Sequence, residues 1–324
     1  MKLNILLLSL TAMLCSLTAL AQQPDTLIKK LDSLRAKTDS AGFQHNNIEP
    51  GAYNEYTRIS AGDYFILLAS DFKQEITKPF HMTAKDWRNL GIFAAATAVL
   101  TQVDEPVQQF AVRLRGENRG LRNVSSYITR FGGRYETYLL VAMGAYGFIF
   151  RNVKMQTTTL LATQSYLTSA LLSDILKRTF GRQRPIYTDP RTGEAEPTFH
   201  GPFYKPRDEF GRKIDVLSFP SGHTIAAFSA ATVYAMEYRD KPWVPFLAYG
   251  AATMIGLSRI TENKHWLSDV FAGAAVGYLS GRLVVNNYHR YAKLKSQSKK
   301  KGSVFLNLQY NQGVIEPGLT YRFR

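Results

Sequence analysis

The sequence predicts an all-α fold, a helical bundle of about six core helices closed by a short C-terminal β-hairpin. Six apolar segments carry the first half of that prediction: 90–103, 137–150, 160–172, 224–236, 244–257 and 270–285. They are rich in Ala, Leu and Met and are separated by polar loops, as the helices of a bundle are. The second half rests on residues 304–323, where apolar and polar residues alternate about Asn311-Gln312-Gly313, the pattern of two strands and a tight turn. No internal repeat is visible.

Taken in order, residues 1–21 read as a secretory signal peptide. Lys2 supplies the positive start, residues 5–20 are nearly all apolar, and Ala19-Leu20-Ala21 offers small residues for cleavage. The only cysteine, Cys15, falls inside this leader, behind a Leu14 too large for a lipoprotein signal. An exported chain without it has neither disulfide nor thiol nucleophile. Residues 22–62 are a polar N-terminal arm with one short amphipathic stretch. Residues 63–292 hold the helical domain. Residues 293–324 form a basic linker (Lys293, Lys295, Lys299, Lys300, Lys301) and the hairpin.

The chain has 324 residues and a formal net charge of +15, of which the leader removes only Lys2. Such basicity favours anionic partners. Export argues against nucleic acid, which leaves phosphorylated substrates and an anionic membrane surface. The apolar runs are 13 to 16 residues long, against about 20 for a bilayer crossing, and the last contains Arg282. Six crossings after a cleaved leader would also turn the loops after the third and fifth segments inward. The expectation is a periplasmic protein held peripherally at the membrane, with integral attachment as the alternative.

Three polar clusters border the apolar segments. Lys177 ends the third one and is followed by Arg184-Pro185, with Gly181 and Pro185 breaking the helix between them. Arg184 offers a planar fork for two phosphate oxygens and Lys177 a point charge; alone, the pair also suits ordinary capping of a helix C-terminus. Pro220-Ser221-Gly222-His223 precedes the fourth segment. Exposed amides at that helix start, the Ser221 hydroxyl and the close approach allowed by Gly222 suit an anion, and His223 could protonate a leaving oxygen. Alone, this is also a helix cap beside an incidental histidine. Ser258-Arg259 is followed by His265 and Asp269, four residues apart. That spacing puts His265 and Asp269 on one helical face, where the carboxylate can hold one ring nitrogen and free the other as a nucleophile; alone, it is also a plain i,i+4 contact. Antiparallel helices bring all three clusters to one side of the bundle. Three cations, amide donors, two histidines and a carboxylate form the inventory for phosphoryl transfer without a metal. No acidic and histidine residues recur at metal-ligand spacing, and no cofactor is expected.

The ordered set Lys177-x6-Arg184-Pro185, Pro220-Ser221-Gly222-His223 and Ser258-Arg259-x5-His265-x3-Asp269 resembles the type 2 phosphatidic acid phosphatase and vanadium haloperoxidase superfamily. The resemblance covers roughly residues 85–290. It implies that His265 is the nucleophile that takes the phosphoryl group, that Asp269 orients it, and that His223 protonates the leaving group. It implies phosphate binding by Lys177, Arg184, Ser221, Gly222 and Arg259, with no metal. The expected activity is hydrolysis of phosphate monoesters or pyrophosphates of envelope lipids or isoprenoids. Alternatives are a soluble periplasmic acid phosphatase for small phosphoesters, a vanadate-dependent haloperoxidase, and a non-catalytic envelope anchor. Residues 186–219, longer than the compact members of the family have between these motifs, are expected to form a lid or rim; the basic and aromatic residues there include His200, Tyr204, Lys205, Arg207, Arg212 and Lys213.

Overall fold

The computed structural model describes residues 58–187, 195, 197–204, 217–300, 303–311 and 314–322. The expected leader, nearly all of the N-terminal arm, the Gln312-Gly313 turn and much of the expected lid, with Lys205, Arg207, Arg212 and Lys213, lie outside these residues. The described residues fall into two compact units, divided between residues 292 and 293. The second contains two antiparallel strands, β1 (Ser303–Asn311) and β2 (Val314–Arg322), in a register that pairs Asn311 with Val314 and Ser303 with Arg322.

The first unit is helical. Helix α1 (Ala61–Thr77) begins at a capping box: Ser60 accepts from the Asp63 amide, and the Asp63 side chain returns the bond to the Ser60 amide. Thr83 and Asp86 repeat the device at the start of α2 (Ala84–Thr101). Helices α3 (Asp104–Glu117) and α4 (Arg119–Ile128) occupy the stretch between the first two apolar segments, expected to be a polar loop. This is a correction to the six-helix reading, as is α1. These helices are short of continuous apolar residues, and tertiary bonds hold α3 and α4 in place: Arg115 pairs with Glu262 at 3.1 Å, and Ser125 and Ser126 donate to the same carboxylate. A 3-10 turn (Thr129–Gly132) leads into α5 (Arg134–Ile149).

The remaining helices are longer than their apolar runs. Helix α6 (Val153–Phe180) ends at Gly181, whose φ of 58° is left-handed. A Cβ there would lie 2.2 Å from the Gly201 carbonyl oxygen, so this C-cap position needs glycine on both counts. Helix α7 (Gly222–Glu237) packs between α6 and α8 (Trp243–Thr261), with Ala227, Ala231, Ala252 and Ile255 as a buried cluster. Helix α9 (Leu267–Lys300) meets α7 along Gly273, Gly277 and Gly281. A Cβ on these residues would stand 2.8, 2.4 and 2.5 Å from the carbonyl oxygens of Ser221, Ile225 and Ser229. The glycine face therefore lets the two backbones touch, and it puts the start of α9 beside the start of α7.

Among the described residues no helix is long and apolar enough to cross a membrane. Several helices nevertheless expose large apolar side chains, including Trp87 and Ile92 on α2, Val141 and Ile149 on α5, and Phe246 and Leu257 on α8.

Candidate active site

Four helix ends supply the site: the last turns of α6 and α8 and the first turns of α7 and α9. Lys177 lies in the last turn of α6 and Arg259 in the last turn of α8. Ser221 is the N-cap of α7 but makes no side-chain cap bond to it. Its fully buried hydroxyl instead accepts from Thr224 Oγ1 at 2.9 Å, and its amide donates to the Asp269 carbonyl at 3.0 Å. Lys177 reaches the same helix start, because its Nζ lies 3.5 Å from where a Cβ on Gly222 would be. Gly222 thus keeps the lysine and the first turn of α7 close together.

The His265–Asp269 relation differs from the sequence expectation. His265 precedes α9, which starts at Leu267, so the two do not share a helical face. Asp269 is in the first helical turn and turns back to accept from the Trp266 amide at 2.9 Å, half of a capping box. That reversal is what brings its Oδ2 to 3.4 Å from His265 Nδ1. Ser218 completes the contact: its hydroxyl lies 3.3 Å from His265 Nδ1 and donates to Asp269 Oδ2. With Nδ1 so engaged, Nε2 is the ring nitrogen left for chemistry.

Arg184 donates from Nε to the Leu217 carbonyl at 3.3 Å. Arg259 is 8% exposed, donates from Nη1 to Thr129 Oγ1 at 2.5 Å, and has a buried Nε with no partner among the described residues. Burial, with the charge of Arg184 beside it, lowers the Arg259 guanidinium to about 10. His223 fits against the turn before α5, its Nε2 being 3.3 Å from the Cβ position of Gly133.

Electrostatics show how tightly these groups converge. Burial first, then Arg259, His265, Lys177 and Arg184, push the His223 pKa down to about 3. Burial likewise lowers His265 to about 4, opposed by Asp269 and assisted by Arg259 and Lys177. For Asp269, burial alone acts upward. The His265 hydrogen bond, the Arg182 guanidinium and Ser218 outweigh it, so the carboxyl stays below its ordinary range. All eight residues singled out in the sequence therefore lie around one cationic recess, built to receive negative charge.

Sequence reasoning missed the support behind it. Arg182, fully buried, bonds Asp269 Oδ1 at 2.7 Å, Asp104 Oδ2 at 2.6 Å and Ser268 Oγ at 2.6 Å. Its guanidinium lies 4.6 Å from the Phe199 ring centroid and 5.2 Å from that of Trp266. Asp104, the first residue of α3, also accepts from the Ser268 amide at 2.8 Å. The local signal was slight: two arginines, Arg178 and Arg182, lie within the six residues between Lys177 and Arg184. Among the described residues no group of three or more His, Cys, Asp or Glu is placed to hold a metal ion. His200 and Tyr204, from the expected lid, stack on each other at 4.0 Å between ring centroids, and Tyr204 donates to Gln183 Oε1 at 2.7 Å.

A family model described as the PAP2 superfamily matches residues 158–293. A lipid A 1-phosphatase from Porphyromonas gingivalis is 51% identical over 67 residues, 20% of this chain and 15% of that protein. A lipid A 1-phosphatase from Rhizobium etli is 36% identical over 112 residues, 34% of this chain and 41% of that protein. Phosphatidylglycerophosphatase B from Bacillus subtilis is 28% identical over 199 residues, 58% of this chain and 85% of that protein. The chain thus spans less than half the length of the two lipid A 1-phosphatases. Four helix ends meeting at one recess, with the motifs in order inside the matched segment, are what residues 158–293 share with the PAP2 superfamily that they resemble.

Proposed function

We propose that this protein is a metal-independent phosphatase that removes phosphate from envelope lipids or isoprenoids through a phosphohistidine on His265. The observation that carries this reading is the convergence of Lys177, Arg184, Arg259, His223 and His265 at the start of α7, with Asp269 behind His265. Relatives named for lipid phosphates support the lipid class.

His265 Nε2 attacks phosphorus, the bond from phosphorus to the leaving oxygen breaks, and His223 gives that oxygen a proton. The three cations, the Ser221 hydroxyl and the amides at Gly222 hold the phosphoryl oxygens as charge builds on them. Asp269 steadies the positive imidazole. Water then attacks the phosphohistidine, His223 accepts the water proton, and the phosphorus–nitrogen bond breaks to return His265. In the free site burial first, and then the charges of Arg259, Lys177 and Arg184, hold the His223 pKa down to about 3. A phosphate dianion bound among those three cations acts against their field and favours the protonated imidazole.

Acid-labile, base-stable phosphate trapped on the protein during turnover, and absent in His265→Ala, is the expected result. Near-normal turnover by a folded His265→Ala overturns the mechanism. The same reading places the protein in the periplasm against an anionic membrane, in line with its charge of +15 and the exposed apolar faces of α2, α5 and α8. Alkaline carbonate should then release at least part of it from the envelope. Extraction by detergent alone, with the 186–219 loop shielded from protease in spheroplasts, would make it integral.

A further inference from the structure

A groove of about 680 Å³ runs between α5, α7 and α8, and the chemistry above makes no use of it. Its walls are mainly apolar, with Leu140, Met143 and Ala231 inside and the exposed Trp243 and Leu247 at its edge. One part of it borders the cationic recess. Ile255 lines the groove, and Gly132 stands against both Ile255 and His223. A Cβ at 132 would lie 2.7 Å from Ile255 Cγ2 and 3.0 Å from His223 Cβ.

Glu136 belongs to this apolar lining. It is 6% exposed, and neither of its carboxyl oxygens has a hydrogen-bond partner among the described residues. Burial pushes its pKa up to about 8, so at neutral pH it is mostly an acid with one O–H to donate. A buried donor without an acceptor works against folding. An acceptor carried in by a ligand would relieve that, and the mainly apolar wall favours an apolar ligand around it.

We propose that the groove takes the hydrocarbon chain of the phosphate ester held in the recess, and that Glu136 donates a hydrogen bond to the carbonyl of that chain's ester or amide linkage. Continuity with the recess at Ile255 and Gly132 argues for a chain attached to the phosphate over an unrelated occupant. The assignment rests on the phosphatase reading and deepens it, from a phosphorylated lipid to an acyl-linked one.

Trp243 lines the groove, whereas Trp87 and Trp266, the other tryptophans of the chain, do not. Micelles of phosphatidate with brominated acyl chains should quench the Trp243 emission, read as wild type minus Trp243→Phe. Brominated phosphatidylcholine, without a terminal phosphate, should quench it at least roughly threefold less. In turnover, Glu136→Leu should lower kcat/KM for dioctanoyl phosphatidate about 3- to 10-fold more than for its dialkyl ether analogue, the size of one hydrogen bond. Glu136→Gln keeps a donor and should recover most of that difference. Equal losses on ester and ether, or equal quenching by the two brominated lipids, overturn the proposal. Turnover of phosphatidate without any Trp243 quenching overturns it too, and leaves the phosphatase reading standing. Quenching by phosphatidate in a protein that hydrolyses neither phosphatidate nor p-nitrophenyl phosphate does the reverse.

Discussion

Arg182 binds Asp269 at 2.7 Å from the side opposite His265, and both residues are fully buried. The aspartate behind the proposed nucleophile is therefore itself held by a fully buried cation. Asp104, 2.6 Å from the same guanidinium, balances the arginine's second face. Each charge in this triad offsets the desolvation of the others, and none can be removed alone without exposing that cost.

Arg182→Met leaves two buried carboxylates without their cation, and should destabilise the protein by about 3–5 kcal/mol. Adding Asp104→Leu should return part of that stability, since one uncompensated charge goes with it. Activity should stay low in the double variant, because Asp269 still lacks the arginine. Chemical denaturation read beside phosphatase turnover separates the two effects. Recovery of activity together with stability would reduce Arg182 to a packing role.

His223 is expected to matter most where the leaving group is poor. His223→Ala should slow alkyl phosphates far more than aryl phosphates, with general-acid assistance worth about 10²–10⁴-fold. Steady-state kinetics on both classes provide the check. Equal losses would assign His223 to phosphate binding alone.

Turnover should persist in excess EDTA and be blocked by orthovanadate, which mimics five-coordinate phosphorus. The grounds are the three cations of the proposed site, Lys177, Arg184 and Arg259, which in that reading supply the charge stabilisation a metal would otherwise give. Loss of activity in EDTA, restored by magnesium or zinc, would refute the metal-free mechanism.

Acid should destabilise the free protein through its two site histidines. Their folded pKa values, about 3 for His223 and about 4 for His265, lie below the ordinary 6.5. Between these limits the unfolded chain binds more protons than the folded one, so stability falls as pH drops from about 6.5 towards 3. His223→Gln should flatten this slope in thermal melts, and bound orthovanadate should flatten it in the wild type. Glu136 acts with the opposite sign. Its folded pKa of about 8 lies above the ordinary 4.5, so its contribution is lost as pH rises through that interval. Glu136→Leu should raise the melting temperature most at the alkaline end. A pH dependence unchanged by either substitution would contradict these assignments.

The sequence by itself determined the helical class and pointed to eight residues that the fold brings close together. The reason is local: a lysine or arginine at a helix end, Ser221-Gly222 at a helix start, and Asp269 within one turn of His265 are short-range patterns that propensity and spacing express directly. Helices α1, α3 and α4 escaped because they lack a long apolar run and are held by caps and by bonds such as Arg115–Glu262. The tertiary structure alone decided which charges meet. Arg182 and Asp104 are 78 residues apart, and nothing near either one in the chain names its partner. Glu136 reads as an ordinary first-turn acid of α5, and only the packing of α5, α7 and α8 around it turns it into a buried, unpartnered donor. Likewise the glycines of α9 are unremarkable in sequence. Their meaning appears once α7 lies against them, because backbone contact at Ser221, Ile225 and Ser229 leaves no room for a Cβ.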